Sequence, residues 1–205
     1  MAACIALILV AGLFAAVRWP RTSPVNQSTV VTASEVRDGS DASLTENSET
    51  KLDTLIAARN AQPAPAFAAG EWINSAPLKL ESLRGRVVLV EFWTFGCYNC
   101  RNTLPTIKKI GDTYRERGLT VIGVHTPEFD SEKRIENVRR EISSLGIKYP
   151  VVTDNDYETW HVYNIQAWPT IVILDQQGRV RYTHIGEGLY DEEENVIKTL
   201  LAEQS

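Results

Sequence analysis

The sequence predicts an α/β domain with a mixed central β-sheet covered by helices on both faces, preceded by a membrane anchor and a linker. Three observations predict it. Residues 1–17 form an uncharged apolar run, residues 20–62 are polar, and from residue 66 onward apolar strand runs alternate with helical periodicity. The 205 residues suffice for one ordinary domain plus a tail. With 43% apolar and 23% charged residues, the composition is that of a globular protein. A net charge of -5 and the lack of a basic stripe exclude nucleic acid as an expected partner.

Residues 1–17 are mostly Ala, Ile, Leu and Val. Such a run sits at the short limit of a membrane span and exceeds most signal-peptide cores. No small-x-small cleavage site follows it, so an uncleaved anchor over residues 1–19 is expected. Arg18 and Arg21 follow the run and nothing basic precedes it, which opposes export of what comes after. Cys4 is read as an inert residue inside this run. Residues 20–65, rich in Ser, Thr, Asn, Asp and Glu, cannot bury much surface and read as a disordered linker, with room for a short helix around 48–59. Pro63 and Pro65 punctuate the start of the folded domain, 66–205.

Within that domain, VVLVEFW at 87–93 is a continuous apolar run with one acid, the pattern of a central strand buried on both faces. Leu104, Ile107, Ile110 and Tyr114 recur at helical spacing and predict a helix over 98–117. Residues 119–124 read as a second buried strand. Ile135, Val138, Ile142 and Leu145 mark a second amphipathic helix. A short strand at 149–153 and a short helix at 157–163 follow. TIVILD at 170–175 and the run 179–185 flank Gln176-Gln177-Gly178, a hairpin signature. Asp191 and Glu194 resemble a capping box for a last helix with Val196, Ile197, Leu200 and Leu201 inward. Residues 71–80 are expected to add an N-terminal hairpin. A βαβ unit followed by ββα yields a mixed sheet with helices on both faces.

The chemistry lies in Cys97-Tyr98-Asn99-Cys100, at the start of the first predicted helix. There the first sulfur meets free backbone N–H groups and the positive end of the helix dipole. Both stabilise its thiolate and lower its pKa. The second sulfur, one turn on, can close a disulfide. A zinc site would need four ligands, and the chain has no second Cys pair; His125, His161 and His184 show no paired-ligand spacing. A purely structural disulfide remains an alternative, but it would close a tiny loop and stabilise little. Redox chemistry without metal or organic cofactor is therefore expected.

The segment 87–105, VVLVEFWTFGCYNCRNTLP, resembles the active-site region of thioredoxin-like proteins, most of all the TlpA/ResA-type and DipZ-like periplasmic branch. The runs His125-Thr126-Pro127-Glu128-Phe129, Tyr149-Pro150, Asp154-Asn155-Asp156-Tyr157 and Gly186-Glu187-Gly188, together with Trp160, resemble the DipZ-like group, and the later Trp168-Pro169-Thr170 adds to the thioredoxin-like resemblance of the CxxC segment. The resemblance runs from near residue 66 to the C-terminus and implies a thioredoxin-like three-layer sandwich. It implies that Cys97 is the attacking cysteine and Cys100 the resolving one. It places Glu91 at a buried acid beneath the disulfide, Trp93 at the aromatic that begins the active-site loop, and Pro105 at a helix-kinking proline. Pro169 matches a cis-proline that faces the disulfide and lines the substrate groove. Trp168 before it, and Tyr98-Asn99 between the cysteines, depart from the family's usual residues; with Trp93 and Pro169 they are the expected groove residues.

An acid among Val88, Val90 and Phe92 is poorly solvated, so the Glu91 pKa is expected to rise and Glu91 to relay a proton to the resolving thiol. A satisfied structural acid is the alternative. His125 and Glu128 either shape the groove rim or cap the following helix. The expected function is disulfide exchange with partner proteins in the reducing direction. The protein is expected to be monomeric and membrane-anchored, with its domain in the periplasm or otherwise outside the cytoplasmic membrane, and to be recharged by a membrane thiol electron donor. Two other readings stay open. One is a redoxin-type peroxidase, for which Thr94 lies three residues before Cys97. The other is a non-catalytic thioredoxin-fold binding module, against which the intact CxxC argues.

Overall fold

The computed structural model describes residues 55–203. The expected anchor and most of the expected linker lie outside the described residues. Among the described residues no helix is long and apolar enough to cross a membrane.

The apolar run at the heart of the sequence becomes strand β2 (Val87–Trp93), buried at every position. Around it lie β1 (Trp72–Ile73), β3 (Leu119–His125), β4 (Val151–Thr153), β5 (Thr170–Leu174) and β6 (Val180–Ile185), in the order β1-β4-β3-β2-β5-β6. Strands β2, β3 and β4 run parallel, while β5, β6 and β1 are antiparallel to their neighbours. The helices are α1 (Tyr98–Tyr114), α2 (Ile135–Ser144), α3 (Glu158–Val162) and α4 (Tyr190–Ala202). This is the thioredoxin-like α/β arrangement with a mixed central sheet.

Side chains alternate faces along a strand, and here both faces are apolar. Val87 and Leu89 pack with Ile107, Ile110 and Tyr114 of α1 and with Val196, Ile197 and Leu200 of α4. Val88, Val90 and Phe92 pack on the other face with Trp160 of α3, Ile165 and Leu80. The same alternation puts Glu91 on the face that α1 and α4 cover. A third cluster joins Trp93, Cys100 and Leu104 to Val138 and Ile142 of α2, and so ties the start of α1 to the end of β2.

Three expectations are corrected. Residues 71–80 form no hairpin: β1 pairs with β4 through Trp72↔Val152 and Ile73↔Val151, and 80–83 is a 3-10 turn. The exposed edge of β4 offered backbone partners that no local turn did. Residues 55–65, assigned by composition to the linker, run along β6 instead. Ile56 N donates to Arg181 O at 2.8 Å, Ala64 N donates to Gly178 O at 3.0 Å, and Pro63 bridges Arg179. Main-chain bonds of this kind leave no trace in composition. Finally, no capping box opens α4. Its N-cap is Leu189, at φ 53 with no side-chain cap, after Gly186 and Gly188 at φ 98 and 114. Glu194 instead accepts a hydrogen bond from the Tyr114 hydroxyl.

Candidate active site

Cys97 is the N-cap residue of α1, and its sulfur accepts a hydrogen bond from Cys100 N at 3.1 Å. The two cysteines are joined as a disulfide, with Cα atoms 5.3 Å apart. Their environments differ. Cys97 is half-buried at the surface end of the helix, whereas Cys100 is fully buried against Trp93 and Leu104. One sulfur can thus be reached by a large partner and the other cannot. The helix N-terminus and the Cys100 N–H both favour negative charge on Cys97 once the disulfide is reduced.

The loop before Cys97 is held from beneath. Thr94 is buried, and its hydroxyl lies 3.3 Å from His125 Nε2. Phe95 stacks on the His125 ring and Trp93 meets it edge-on. Burial pushes the His125 pKa down to about 4, against the pull of the Glu132 carboxylate, so the ring is neutral at pH 7. His125 is therefore packed beneath the loop and does not line a rim. Glu128 is exposed and takes part here through its backbone N–H.

Glu132 carries the strongest local bonding. Its side chain is 1% exposed. One oxygen accepts from Gly96 N at 2.7 Å; the other accepts from Glu128 N at 2.6 Å and Phe129 N at 2.9 Å. A Cβ at position 96 would fall 2.4 Å from Glu132 Oε1, so a side chain there would push the carboxylate out of its bonds. The carboxylate thereby ties the CxxC loop to the turn following β3.

On the opposite side, the Trp168–Pro169 peptide bond is cis, and Pro169 is buried with its carbonyl accepting from Gly186 N at 2.8 Å. Trp168 Nε1 donates to Thr126 O at 3.1 Å, and the ring packs with the cluster that includes Cys97 and Cys100. Tyr98 is 75% exposed and Asn99 is also exposed, while Trp93 is fully buried. Trp93 therefore lies under the site and not on its surface.

Glu91 sits two residues before the end of β2, in register with Gly123 of β3 and Ile171 of β5, and is fully buried. Its Oε2 accepts from the Tyr149 hydroxyl at 2.7 Å, while Oε1 has no hydrogen-bond partner among the described residues. Burial raises its pKa to about 8; the Tyr149 hydrogen bond opposes the rise and the charge of Glu193 adds to it. Gly123 makes room for this pairing, since a Cβ there would come 3.3 Å from the Tyr149 ring and 2.8 Å from Trp93 Nε1. Among the described residues no group of three or more His, Cys, Asp and Glu side chains is placed to hold a metal ion.

The AhpC/TSA family model matches residues 61–183, a range that contains this CxxC and the buried strand before it. The chain belongs to the AhpC/TSA family. Within that thioredoxin-like family it falls with DipZ- and ResA-type proteins. It is 42% identical over 133 residues to protein DipZ of Mycobacterium tuberculosis, which covers 63% of this chain and 19% of DipZ. The chain thus spans about a fifth of that relative. It is 26% identical over 137 residues to the thiol-disulfide oxidoreductase ResA of Bacillus anthracis, covering 67% of this chain and 76% of ResA. Among solved structures, a thiol-disulfide isomerase from Corynebacterium glutamicum is 31% identical with a TM-score of 0.63, over 69% of this chain and 98% of that one.

Sequence reasoning missed Glu132 and the pairing of Tyr149 with Glu91. Glu132 lies in a charged stretch, Asp130-Ser131-Glu132-Lys133, that reads as solvated surface. The available signal was its place three residues after Phe129, where an N3 carboxylate turns back on the chain. Replacing it with alanine strips three backbone N–H groups of their acceptor. Glu132→Ala is expected to cost about 3 kcal/mol in denaturant unfolding and to speed amide hydrogen exchange at Gly96 and Phe129. Unchanged exchange at Gly96 would show that the loop before Cys97 is held by something else.

Proposed function

We propose that this chain is an extracytoplasmic thiol–disulfide oxidoreductase that reduces disulfides in partner proteins. The observation that carries the reading is the unequal seating of the two sulfurs, with Cys97 at the surface end of α1 and Cys100 sealed behind it. Reduced Cys97, as thiolate, attacks a partner disulfide; one partner sulfur leaves, and Cys97 is joined to the other. Glu91 takes the proton of Cys100, whose thiolate attacks Cys97 and expels the partner's second sulfur. The protein is left with the Cys97–Cys100 disulfide seen in the structure. A membrane thiol electron donor then restores the dithiol.

The partner is read by the surface around Cys97. Tyr98, Asn99 and Trp168 form the groove, with the buried Pro169 and Trp93 supporting it from below. Phe129, 56% exposed beside the Glu132 clamp, extends the apolar rim. The apolar residues 1–17 support a membrane anchor; in this reading the protein is a monomer with its domain on the oxidising side.

A second reading is a peroxidase in which Cys97 attacks peroxide, suggested by Thr94 three residues before it. The Thr94 hydroxyl would then have to serve the peroxide. It lies instead beside the buried His125. Turnover of hydrogen peroxide at a rate matching disulfide exchange would favour the peroxidase.

Two expected outcomes test the exchange mechanism. Cys97→Ser should abolish reduction of a protein disulfide, whereas Cys100→Ser should attack once and accumulate as a mixed disulfide visible by non-reducing mass spectrometry. Comparable turnover in both variants would remove the mechanism. Glu91→Gln keeps the shape and removes the base. Stopped-flow kinetics should show resolution slowed about a hundredfold with the first attack near the wild-type rate. Wild-type resolution across pH 6 to 9 would make Glu91 a purely structural acid.

A further inference from the structure

Arg86, Lys108, Arg115 and Lys148 line one open cavity of about 430 Å³, in a chain whose net charge is -5. The acid among its lining residues is Asp112, which is paired with Arg115 at 2.8 Å. Like charges that face one space repel, and an anion entering between them relieves the repulsion. The cavity lies between the second half of α1, the start of β3 and the turn that precedes β4. Lys108 stands about 16 Å along the helix axis from Cys97, at 1.5 Å per residue. None of the groove residues beside Cys97 lines the cavity, so it is separate from the exchange site.

Its donors are held in place before any ligand arrives. Arg86 Nε donates to Thr120 Oγ1 at 2.6 Å, and Nη2 donates to Leu119 O at 2.7 Å and to Arg115 O at 3.1 Å. Nη1 makes no hydrogen bond within the described residues, so a guanidinium fixed by three bonds keeps two N–H donors for a ligand. Lys108 Nζ donates to Leu145 O at 2.7 Å and keeps two further donors. A Cβ at Gly146 would come 3.8 Å from Lys108 Nζ, and the lack of a side chain there leaves the ammonium uncovered on that side. Leu119, Val121, Tyr149 and Pro150 add apolar surface to the wall. Fixed polar donors beside apolar surface, in a space of this size, are the features of a small-molecule site.

We propose that this cavity binds a small organic polyanion, a compact carbon frame carrying two or more carboxylate or phosphate groups. Arg86 takes one anionic group through Nη1, since a planar guanidinium matches a carboxylate or phosphate edge. Lys108 and the exposed Lys148 meet the others, and the carbon frame rests on Tyr149 and Pro150. A monoanion would leave cations still facing one another and binds weakly. Tyr149 is common to two sites: its side chain lines the cavity, and its hydroxyl donates to Glu91 at 2.7 Å. The bound polyanion therefore rests on the residue that holds the buried acid.

Isothermal titration of the full chain with citrate and with fructose 1,6-bisphosphate, at an ionic strength of about 0.15 M, tests the proposal. At least one of the two should saturate a single site with a Kd of about 1 mM or below, and acetate should not compete. Whichever binds tighter identifies carboxylate or phosphate as the preferred group. Lys148→Gln removes an exposed charge from the cavity and should weaken binding about tenfold. Lys109→Gln removes the same charge from α1 outside the cavity and should leave the affinity unchanged. No saturable binding of either compound overturns the site. An affinity that Lys148→Gln leaves unchanged, or that both variants weaken equally, also overturns it, because the anion would then be held by net charge and not by the cavity.

Discussion

A carboxyl group buried in the middle of the central strand constrains everything around it. Moving an ionised carboxylate out of water costs several kcal/mol unless partners compensate, and Glu91 has one hydrogen bond, from Tyr149. The structure meets the cost by holding the proton: the pKa stands at about 8, raised by burial. The neighbours follow from that choice. Position 123 is glycine, so that the Tyr149 ring can reach across β3. Below the unfolded carboxyl's pKa the group costs no stability; as pH rises from there, the unfolded chain gives up a proton that the folded domain keeps, and stability falls until the folded value of about 8 is passed.

The second organising feature is the coupling of loop and helix at Cys97. Glu132 fixes Gly96, the His125 ring supports Phe95 and Trp93, and α1 then begins at Cys97. The attacking position is thus set by backbone and packing, and the exposed Tyr98, Asn99 and Phe129 are free to meet partners. A rigid base under a reachable sulfur, with a buried second sulfur one turn on, is what a two-step exchange needs.

How much of this was legible in sequence depended on whether the interaction was local. The β2 run, the periodicity of α1 and the CxxC spacing are local, and they located the strand, the helix and the disulfide pair. The acid interrupting VVLVEFW pointed to a buried Glu91 because nothing else in the run could solvate it. The bonds made at long range were silent. Pairing of β1 with β4 and of residues 55–65 with β6 runs through main-chain groups common to every residue. Glu91 meets Tyr149 across 58 residues. In Asp191-Glu192-Glu193-Glu194 the sequence shows a charged first turn, and only the docking of α4 shows that Glu193 points inward.

The central claim is that burial raises the Glu91 pKa to about 8, so that its deprotonated fraction near neutral pH can take the proton of Cys100. The most direct measurement is a carboxyl titration of the oxidised protein, by 13C NMR of labelled glutamate with Glu91→Gln to assign the signal. The account predicts one glutamate titrating near pH 8, lost in the variant. A Glu91 signal titrating in the usual carboxylate range, near 4.5, would contradict it.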